Sequence, residues 1–594
     1  MVRSFARTYL PWLVILMLII TLTPTAFAHT TSSSSREQKV AQTVPGIDPD
    51  FIYQQLFYMA THFQQREGGY SNRPGNGHDG FANYWSQEML TLLGSYGAEV
   101  HSDPFPIEGW ANRPAVTPAV NVEVTVPGAL HPEQVVVIGC HYDGEASSTQ
   151  SANDDASGCV IELGVAKAMS EFWRANHVYP ARTLRFVIFD AEEQGLFGSF
   201  HYVNSTVNGD LKNIVAMFNE EQNGIAYPLR YLGNTANPLM PLYVDLSPLQ
   251  SNEIYPDQHL TAQQRANITQ FRQLMQQAVV ASFQQFRAMG EQMLTYHTDQ
   301  GQDVWQSIFT PDHLSYIHQE DDTLGSSDQI PFTLAGLPCA TFAGNSTYYN
   351  RPAPLGSYPY DQPQDTIQLM NIFASGNSQQ SQALTLALAV PGMLTTWMLS
   401  QSAILGQTAA PTNPIAAISS IGLSQPGQAM NFDAGASYDP THTGSALSYH
   451  WTFGDGGSAD GQKVSHTYST SGTYALSLSV TSAAGGTQTV TKTISVASPT
   501  VFDTPFSGFH ASGTPRGNPG VTLPTAVAGL SDRVGTVADA QQIGPIKQQT
   551  ASIAQAGALT PLWFALGGLG IVLVLVVIIL LLITRKRRRS VESA

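Results

Sequence analysis

From residue 46 to residue 402, short apolar runs typical of strands alternate with longer segments in which apolar residues recur at helical spacing. The runs at 134–140 and 185–189 are continuous and rich in β-branched and aromatic residues, as expected of strands buried on both faces. Between them, apolar positions follow a helical period as far as Trp173. Strands that alternate with helices predict an α/β domain with a mostly parallel central sheet flanked by helices.

The rest of this domain follows the same pattern. Helices are predicted to begin near Phe51 and to run from Phe81 to Tyr96 and from Gln382 to Gln401. Residues 225–325 are interpreted as an insertion in which 261–293 predict a Gln-rich amphipathic helix. This helix fits two roles equally well: a cap beside an active-site mouth, or a packing helix with no part in substrate choice.

After a predicted linker at 403–411, the periodicity changes to alternation over short segments separated by Gly, Asp and Ser. Strands are predicted in this region at 429–433, 447–453, 463–468, 473–480 and 487–496. Short strands at this spacing indicate a β-sandwich, here over residues 412–497.

The N-terminus has the pattern of a targeting segment. Basic residues precede an apolar run, and Ala26-Phe27-Ala28 has the small-x-small cleavage pattern, so residues 1–28 are interpreted as a secretory signal peptide. An uncleaved membrane anchor is the alternative. Residues 29–45 are rich in Ser, Thr and Gln and are predicted to be disordered.

The C-terminus has the pattern of a membrane anchor. Residues 498–558 are rich in Gly, Pro and Ala and predict an extended stalk. Residues 559–584 are uncharged and long enough to cross a bilayer as a transmembrane helix, and the basic tail 585–594 follows at once. The positive-inside rule places this tail in the cytoplasm, so we expect a single-pass cell-membrane protein whose folded domains are extracellular.

Composition excludes some partners. A formal charge of -17 and a pI of about 5.3 argue against nucleic acid, because phosphate binding requires basic patches. The chain has only three cysteines, Cys140, Cys159 and Cys339, which are too few for a disulfide scaffold. Their apolar neighbours predict that all three are core residues.

Ionisable residues gather where the two buried strands end. His141 and Asp143 follow the first strand, Asp154 lies on the loop before the next helix, and Glu192 and Glu193 follow the second strand. Adjacent carboxylates repel each other unless a cation or a proton neutralises one of them, and a metal ion is the usual solution. A histidine with a carboxylate two residues away suits a metal-bound imidazole whose other nitrogen is oriented.

Each of these residues also has a structural interpretation. The glutamate pair could be solvated at a helix N-terminus, Asp154 could be an ordinary helix cap, and His141 could be a structural residue at a strand end. The three motifs occur in order within a short stretch of chain, which is much less expected by chance than any one of them. The conjunction therefore favours a metal site.

The chain resembles the zinc-dependent aminopeptidases of metallopeptidase family twenty-eight on three motifs: His141-Tyr142-Asp143, Asn153-Asp154-Asp155-Ala156-Ser157-Gly158 and Glu192-Glu193-Gln194-Gly195. The resemblance covers residues 45–402 and implies a two-metal exopeptidase fold. It implies that His141, Asp154 and Glu193 are metal ligands, with Asp154 bridging two ions. It also implies that Glu192 is the general base and that Asp143 supports His141. In that family the peptide bond at the Asp154–Asp155 position is cis.

The last two ligand positions depart from the family pattern. Glu221 stands where the family has an aspartate, Asp361 stands where it has a histidine, and Gln329 replaces a histidine in the pocket segment 327–332. Four carboxylates and one imidazole would shift the preference from zinc towards manganese or another hard divalent ion. The implied cofactors are two divalent metal ions, zinc by the resemblance. His313 and His318 are candidates to replace the missing histidine.

The C-terminal β-sandwich resembles a PKD domain on three motifs: Trp451-Thr452-Phe453-Gly454-Asp455-Gly456, His466-Thr467-Tyr468 and Gly472-Thr473-Tyr474. The resemblance covers nearly all of residues 412–497. It implies an immunoglobulin-like spacer or adhesion module, which could contact surfaces or glycans and carries no chemistry of its own.

Together these features predict a membrane-anchored extracellular metallo-aminopeptidase that hydrolyses N-terminal residues from peptides. Two alternatives remain open. One is a catalytically degenerate binding protein at the cell surface, suggested by Asp361 and Gln329. The other is an acyltransferase of the glutaminyl cyclase type, which shares the fold.

Overall fold

The computed structural model describes residues 45–107, 109–110, 113–206, 213–230, 239–252, 254–256, 258–297, 303–323, 327–344, 358–359, 362–418, 426–442 and 444–496. The predicted signal peptide, stalk, transmembrane helix and basic tail lie outside these residues, as does all but the last residue of the segment 29–45. The candidate ligand Asp361 also lies outside them.

The first domain is built on an eight-stranded sheet. Its strands are β1 Glu99–Phe105, β2 Ala119–Val126, β3 His131–His141, β4 Arg182–Phe189, β5 Ile214–Glu221, β6 Leu242–Leu246, β7 Ile317–Asp321 and β8 Cys339–Ala343. They lie side by side in the order β1-β2-β4-β3-β5-β8-β6-β7. The four central strands β4, β3, β5 and β8 are parallel, and antiparallel pairings flank them at β1–β2, β2–β4 and β8–β6. The prediction of an α/β domain is confirmed, with a mixed sheet whose centre is parallel.

Helices cover this sheet. The longer ones are α1 Pro49–His62, α2 His78–Leu93, α3 Ser157–Asn176, α4 Ala262–Ala288, α5 Ile367–Ser375 and α6 Gln382–Ser400. Shorter helical segments lie at Gly94–Tyr96, Ala152–Ala156, Phe197–His201, Tyr202–Thr206, Pro311–Tyr316 and Ile330–Leu334. Their apolar faces and the sheet form one large core that includes Trp85, Trp173 and Phe218.

Helix α6 lies in the middle of this core. It is the one helix among the described residues that is long and apolar enough to cross a membrane, and 94% of its most apolar window is buried. It packs against α1, α3 and α4 rather than facing solvent. An apolar helix that is buried all round is expected in the core of a large domain.

The predicted insertion 225–325 contributes to the sheet as well as to its cover. It supplies β6, β7, helix α4 and an antiparallel hairpin of Met293–His297 with Asp303–Ser307. Helix α4 begins with a capping box, in which Thr261 and Gln264 satisfy each other's backbone amides. Its buried residues, which include Phe271, Val279 and Phe286, pack into the main core, so most of this region is part of the domain's architecture.

The predicted linker at 403–411 is tied to the first domain, because Gln407–Ala409 pairs antiparallel with Val178–Pro180. Beyond it lie the strands β9 Ala429–Asp433, β10 Leu447–Thr452, β11 Ser458–Asp460, β12 Lys463–Thr467, β13 Gly472–Ser482 and β14 Thr487–Val496. They form a two-stranded sheet, β9–β12, and a four-stranded sheet, β11-β10-β13-β14. A separate apolar core around Trp451 and Leu478 lies inside them, as in a β-sandwich.

All three cysteines are buried in the core as expected, but two of them are also bonded to each other, which the sequence analysis did not foresee. Cys140 and Cys159 form a disulfide that joins the end of β3 to the first turn of α3, while Cys339 is free and buried. The two cysteines are separated by 19 positions in the sequence and lie on either side of residues 142–156, which link strand β3 to helix α3. The disulfide therefore lies directly behind the loop that carries Asp154.

Candidate metal centre

The ionisable residues at the strand ends meet at one edge of the sheet. His141 is the last residue of β3, Glu221 is the last residue of β5, and the Glu192–Glu193 pair follows β4. Because β3 is hydrogen-bonded to β4 and β5 in parallel, its carboxyl end lies between theirs. This is the edge at which open α/β sheets carry their sites.

The imidazole of His141 is surrounded by carboxylates. Its Nε2 lies 3.0 Å from Asp154 Oδ1 and 3.7 Å from Glu221 Oε2, and its Nδ1 lies 3.5 Å from Asp143 Oδ1. Burial lowers the pKa of His141, but neighbouring carboxylates, Glu192 first among them, raise it well above its usual value. One nitrogen thus faces two candidate ligands, and the other is oriented by Asp143, as in many metal-bound histidines.

Hydrogen bonds to Asp365 hold the loop that carries Asp154 in place. Asp365 accepts hydrogen bonds from the backbone amides of Asn153 at 2.9 Å and Asp154 at 3.0 Å, and from the hydroxyl of Tyr358 at 2.5 Å. The Asp154–Asp155 peptide bond is cis. Asp154 Oδ2 is buried and accepts no hydrogen bond from any described residue. A buried carboxylate oxygen in that position needs a cation or a proton.

Asp143 also fixes the glutamate pair. Its Oδ1 accepts the backbone N–H of Glu192 at 3.1 Å, and its Oδ2 accepts that of Glu193 at 3.3 Å. Glu193 Oε1 in turn accepts the backbone N–H of Glu145 at 3.1 Å. Burial raises the pKa of Glu192 well above its usual range, and Glu221 and Asp328 add to the rise. A glutamate with a raised pKa is suited to proton transfer.

Two groups of side chains in the described part of the chain could hold a metal ion. Ligand atoms of His141, Asp154 and Glu193 lie within 4.8 Å of one another, and so do those of His141, Asp155 and Glu221. A third group, Cys140, Asp155 and Cys159, is excluded because its sulfurs are bonded to each other. The residues therefore fit a metal: a buried, mainly carboxylate cage with one imidazole and an oxygen of Asp154 left without a hydrogen bond.

Asp155 is part of this cage although the sequence did not single it out. Its Oδ1 accepts hydrogen bonds from the backbone amides of Gly158 at 2.9 Å and Gln222 at 3.1 Å, which ties the start of α3 to the end of β5. A Cβ at Gly158 would collide with the carbonyl oxygen of Glu220, so only glycine allows this approach. The signal in the sequence that could have identified Asp155 is the second aspartate of the Asn-Asp-Asp motif.

The segment 327–332 supports Glu221. Ser327 Oγ donates a hydrogen bond to Glu221 Oε2 at 2.6 Å, and Asn219 Nδ2 donates to Ser327 Oγ at 2.8 Å. Gln329 accepts from Asn219 Nδ2 at 3.5 Å and donates to Asp322 Oδ2 at 3.0 Å. The residue that replaces the family's histidine is therefore bound into a hydrogen-bond network beside the site rather than directed at a metal.

Arg66 provides positive charge beneath the cage and was missed by the sequence analysis. It is 1% exposed, and its guanidinium donates to the carbonyl oxygens of Tyr142 at 2.7 Å, Gln150 at 2.5 Å and Ser151 at 3.0 Å. Burial lowers its pKa to about 10, which leaves it charged at neutral pH. The sequence gives no signal for it, because Arg66 lies outside every motif.

The two histidines considered as replacement ligands lie elsewhere. His313 Nδ1 is 3.4 Å from the hydroxyl of Tyr227, and the ring of His318 packs edge-on against Tyr243 at 5.1 Å between centroids. Neither belongs to a metal-capable group of described residues. The proposal that one of them replaces the missing ligand therefore gains no support from the geometry.

Two family models match parts of this chain. Residues 121–325 match the model of peptidase family M28, and residues 411–497 match that of the PKD domain. The resemblance to zinc aminopeptidases of that family, and to a PKD domain, is confirmed.

Several curated proteins match part of the first domain. The chain is 31% identical to aminopeptidase YwaD of Bacillus subtilis over 133 residues, which cover 22% of this chain and 26% of that protein. It is 30% identical to human carboxypeptidase Q over 115 residues, 19% of this chain and 23% of that protein. The chain thus spans about a quarter of the length of the curated relatives it matches.

Two solved structures also match this chain, at low identity and with TM-scores below 0.5. A zinc aminopeptidase from Bacillus subtilis is 14% identical with a TM-score of 0.39, covering 60% of this chain and 96% of that one. A glutaminyl cyclase from Bacteroides thetaiotaomicron is 14% identical with a TM-score of 0.37, covering 61% of this chain and all of that one. The family assignment rests on the sequence match and not on these two structures.

Proposed function

We propose that this chain, which contains a peptidase family M28 domain, is a metallo-exopeptidase that releases N-terminal residues from peptides with a two-metal site. The observation that carries the proposal is the position of Asp154. Its Oδ1 lies 3.0 Å from His141 Nε2, while its Oδ2 is buried without a hydrogen bond, so this second oxygen would be available to hold another ion. Glu193 and Glu221 each share a metal-capable group with His141.

In this proposal His141, Asp154, Glu193 and Glu221 hold the ions, and Asp361 is the fifth ligand implied by the family pattern. Bound divalent ions would supply Lewis acidity towards the scissile carbonyl and lower the pKa of an attacking water. The resemblance favours zinc. The excess of carboxylates over imidazoles favours manganese or another hard divalent ion, so metal identity is part of the test.

Glu192 is proposed as the general base. Its backbone is fixed by Asp143, and its carboxylate lies close enough to Glu221 and Asp328 for their charges to raise its pKa. A raised pKa lets the carboxylate accept a proton from water and deliver it to the leaving amine at neutral pH. The substrate's free α-amino group would be attracted by the surrounding acidic side chains, which suits a peptide N-terminus.

We also propose that the peptidase domain is exported and tethered to the cell membrane by residues 559–584, with the PKD domain as a spacer. The disulfide between Cys140 and Cys159 supports export, because structural disulfides persist mainly in oxidising compartments. Protease added to intact cells should digest both domains and leave a small membrane-bound C-terminal fragment. Protection of both domains would contradict this location.

The activity is tested with the full chain purified in detergent, stripped of metal and reloaded separately with zinc and manganese. We expect release of the chromophore from aminoacyl p-nitroanilides, inhibition by a chelator and recovery with one of the two metals. N-acetylated substrates should resist cleavage. No turnover with either metal, together with no metal uptake, would mean that the chain is a binding protein built on a peptidase fold.

A further inference from the structure

A cavity of about 210 Å³ lies beside the metal centre, and the mechanism above does not use it. Its lining includes Gln65, Glu67, Arg73, Asn76, Arg113 and Glu145. Small-molecule sites usually measure about 300–1,000 Å³. The volume therefore suits one end of a substrate rather than a whole ligand.

The cavity shares a wall with the metal centre. The backbone amide of Glu145, which lines it, donates to the candidate ligand Glu193 at 3.1 Å. Glu67 also lines the cavity, and the next residue, Gly68, accepts a hydrogen bond at its carbonyl from the side chain of Gln194 at 2.7 Å. The cavity and the candidate metal centre therefore meet at the contact between Glu145 and Glu193.

Two arginines in the cavity share a single buried carboxylate. Arg73 Nη1 lies 3.2 Å from Glu67 Oε2, and Arg113 donates to both oxygens of the same carboxylate. Glu67 is 8% exposed, whereas the side chains of Arg73 and Arg113 are 38% and 40% exposed. Glu67 lies deeper than the two guanidiniums that share it, so parts of both guanidiniums stay exposed in the cavity, whose lining also holds the carboxylate of Glu145.

The guanidinium groups are also held in place. Both lie over the ring of Tyr70, with the central carbon of Arg73 3.9 Å and that of Arg113 5.0 Å from its centroid. A stacked guanidinium presents its remaining N–H groups in a fixed plane, which matches a carboxylate bidentately. Glu145, which also lines the cavity, accepts the amide of Ala146 at 3.0 Å.

We propose that this cavity binds a carboxylate of the substrate on the leaving-group side of the scissile bond. The inference rests on the proposed peptidase function and narrows its substrate class. The carboxylate can come from two sources, the free C-terminus of a dipeptide or an acidic side chain next to the cleaved bond. The closeness of the cavity to the metals favours the C-terminus of a dipeptide.

The test compares substrates that differ only in charge, using the full chain in detergent with its preferred metal. Leu-Ala, Leu-Ala-amide, Leu-Glu-amide and Leu-Gln-amide separate the two sources, and leucine p-nitroanilide carries no carboxylate. We expect kcat/KM for Leu-Ala to exceed that for its amide by about tenfold or more, mainly through KM. A preference for Leu-Glu-amide over Leu-Gln-amide would assign the cavity to side chains instead.

Arg73→Gln leaves the Arg113–Glu67 pair in place and should remove most of that preference. Arg174→Gln, which changes an exposed arginine on α3, is the matched control and should leave the preference unchanged. Equal cleavage of acid and amide by the unaltered chain would overturn the inference, and so would a preference that survives in Arg73→Gln.

A binding measurement tests the role of the cavity separately from the proposed peptidase activity. Calorimetry of Leu-Ala and its amide with the metal-loaded Glu192→Gln chain measures the preference without turnover. A preference for the acid in a chain that never cleaves peptides would support the cavity and contradict the peptidase. Cleavage without any preference in rate or binding would support the peptidase and contradict the proposed role of the cavity.

Discussion

The carboxylate of Asp143 holds the backbone of Glu192 in place, through a hydrogen bond of 3.1 Å from the Glu192 amide to Asp143 Oδ1. The same carboxylate accepts the amide of Glu193 at 3.3 Å and lies 3.5 Å from His141 Nδ1. Asp143 is completely buried. A single side chain thus contacts both His141, the candidate ligand at the end of β3, and the backbone of Glu192, the candidate base in the segment after β4.

Replacement of Asp143 by Asn should weaken metal binding and slow turnover. An amide cannot accept both backbone N–H groups, and its own NH₂ would oppose one of them. Loss of an outer partner of a metal-bound histidine typically costs 10–100-fold in affinity or activity. Competition with a chelating dye measures the metal affinity, with the exposed Asp50→Asn as control. An unchanged affinity and kcat would show that Asp143 has no positioning role.

Replacement of Glu192 by Gln should lower kcat by about 10²–10⁴-fold and leave metal content unchanged, because Glu192 transfers protons in the proposed mechanism and is not a ligand. Metal per chain is measured by elemental analysis beside the rate. Glu171→Gln, at an exposed position on α3, is the control. Substantial activity in the Glu192 variant would exclude this residue as the base.

Replacement of Arg66 by Met should lower the free energy of unfolding of the peptidase domain by about 3–5 kcal/mol, the usual result of removing one partner from a buried ionic network. Three carbonyl oxygens, those of Tyr142, Gln150 and Ser151, would lose their donor. Pulse proteolysis in urea, scored on the peptidase domain, measures the change. Arg66→Lys should recover only part of it, since one ammonium cannot reach all three oxygens.

The stability of the fold should depend on pH through the protonation of His78. Its Nε2 lies 3.0 Å from Asp190 Oδ1 and its Nδ1 2.9 Å from Asp79 Oδ1. Burial lowers the pKa of His78, but these carboxylates raise it to about 9. Protonated His78 with its two carboxylates therefore stabilises the fold fully below pH 6.5. This contribution of about 3 kcal/mol is lost as the pH rises towards 9.

Thermal unfolding of the chain at pH 6 and pH 9, beside that of His78→Gln, checks this expectation. The variant should be less stable at pH 6, and the difference between the two proteins should shrink at pH 9. A difference that is the same at both pH values would mean that His78 acts through packing and not through its charge.

Replacement of Cys140 and Cys159 together by Ser should lower the free energy of unfolding by about 3 kcal/mol, because the disulfide closes a loop with a sequence separation of 19. Metal affinity should fall as well, since the loop that carries Asp154 lies inside the closed segment. Cys339→Ser alone should leave metal affinity unchanged. Equal metal affinity in the double variant and the unaltered chain would mean that the disulfide does not organise the site.

Local patterns in the sequence determined the parts of this protein that depend on neighbouring residues. The apolar runs at 134–140 and 185–189 are the ends of β3 and β4, and the helical period after Ser157 is α3. The alternating segments between 429 and 496 are the strands of the sandwich, most of them to within two residues. Periodicity of 2 or 3.6 follows from local backbone geometry, so the sequence alone carries it.

Only the tertiary structure decided which distant residues meet. The guanidinium of Arg66 lies under the loop 142–151, and Ser327 reaches Glu221 across more than a hundred residues. Cys140 and Cys159, interpreted as separate core residues, are joined. Such contacts depend on the order of the strands in the sheet, which is set by packing of the whole domain and leaves no trace in the spacing of residues along the chain.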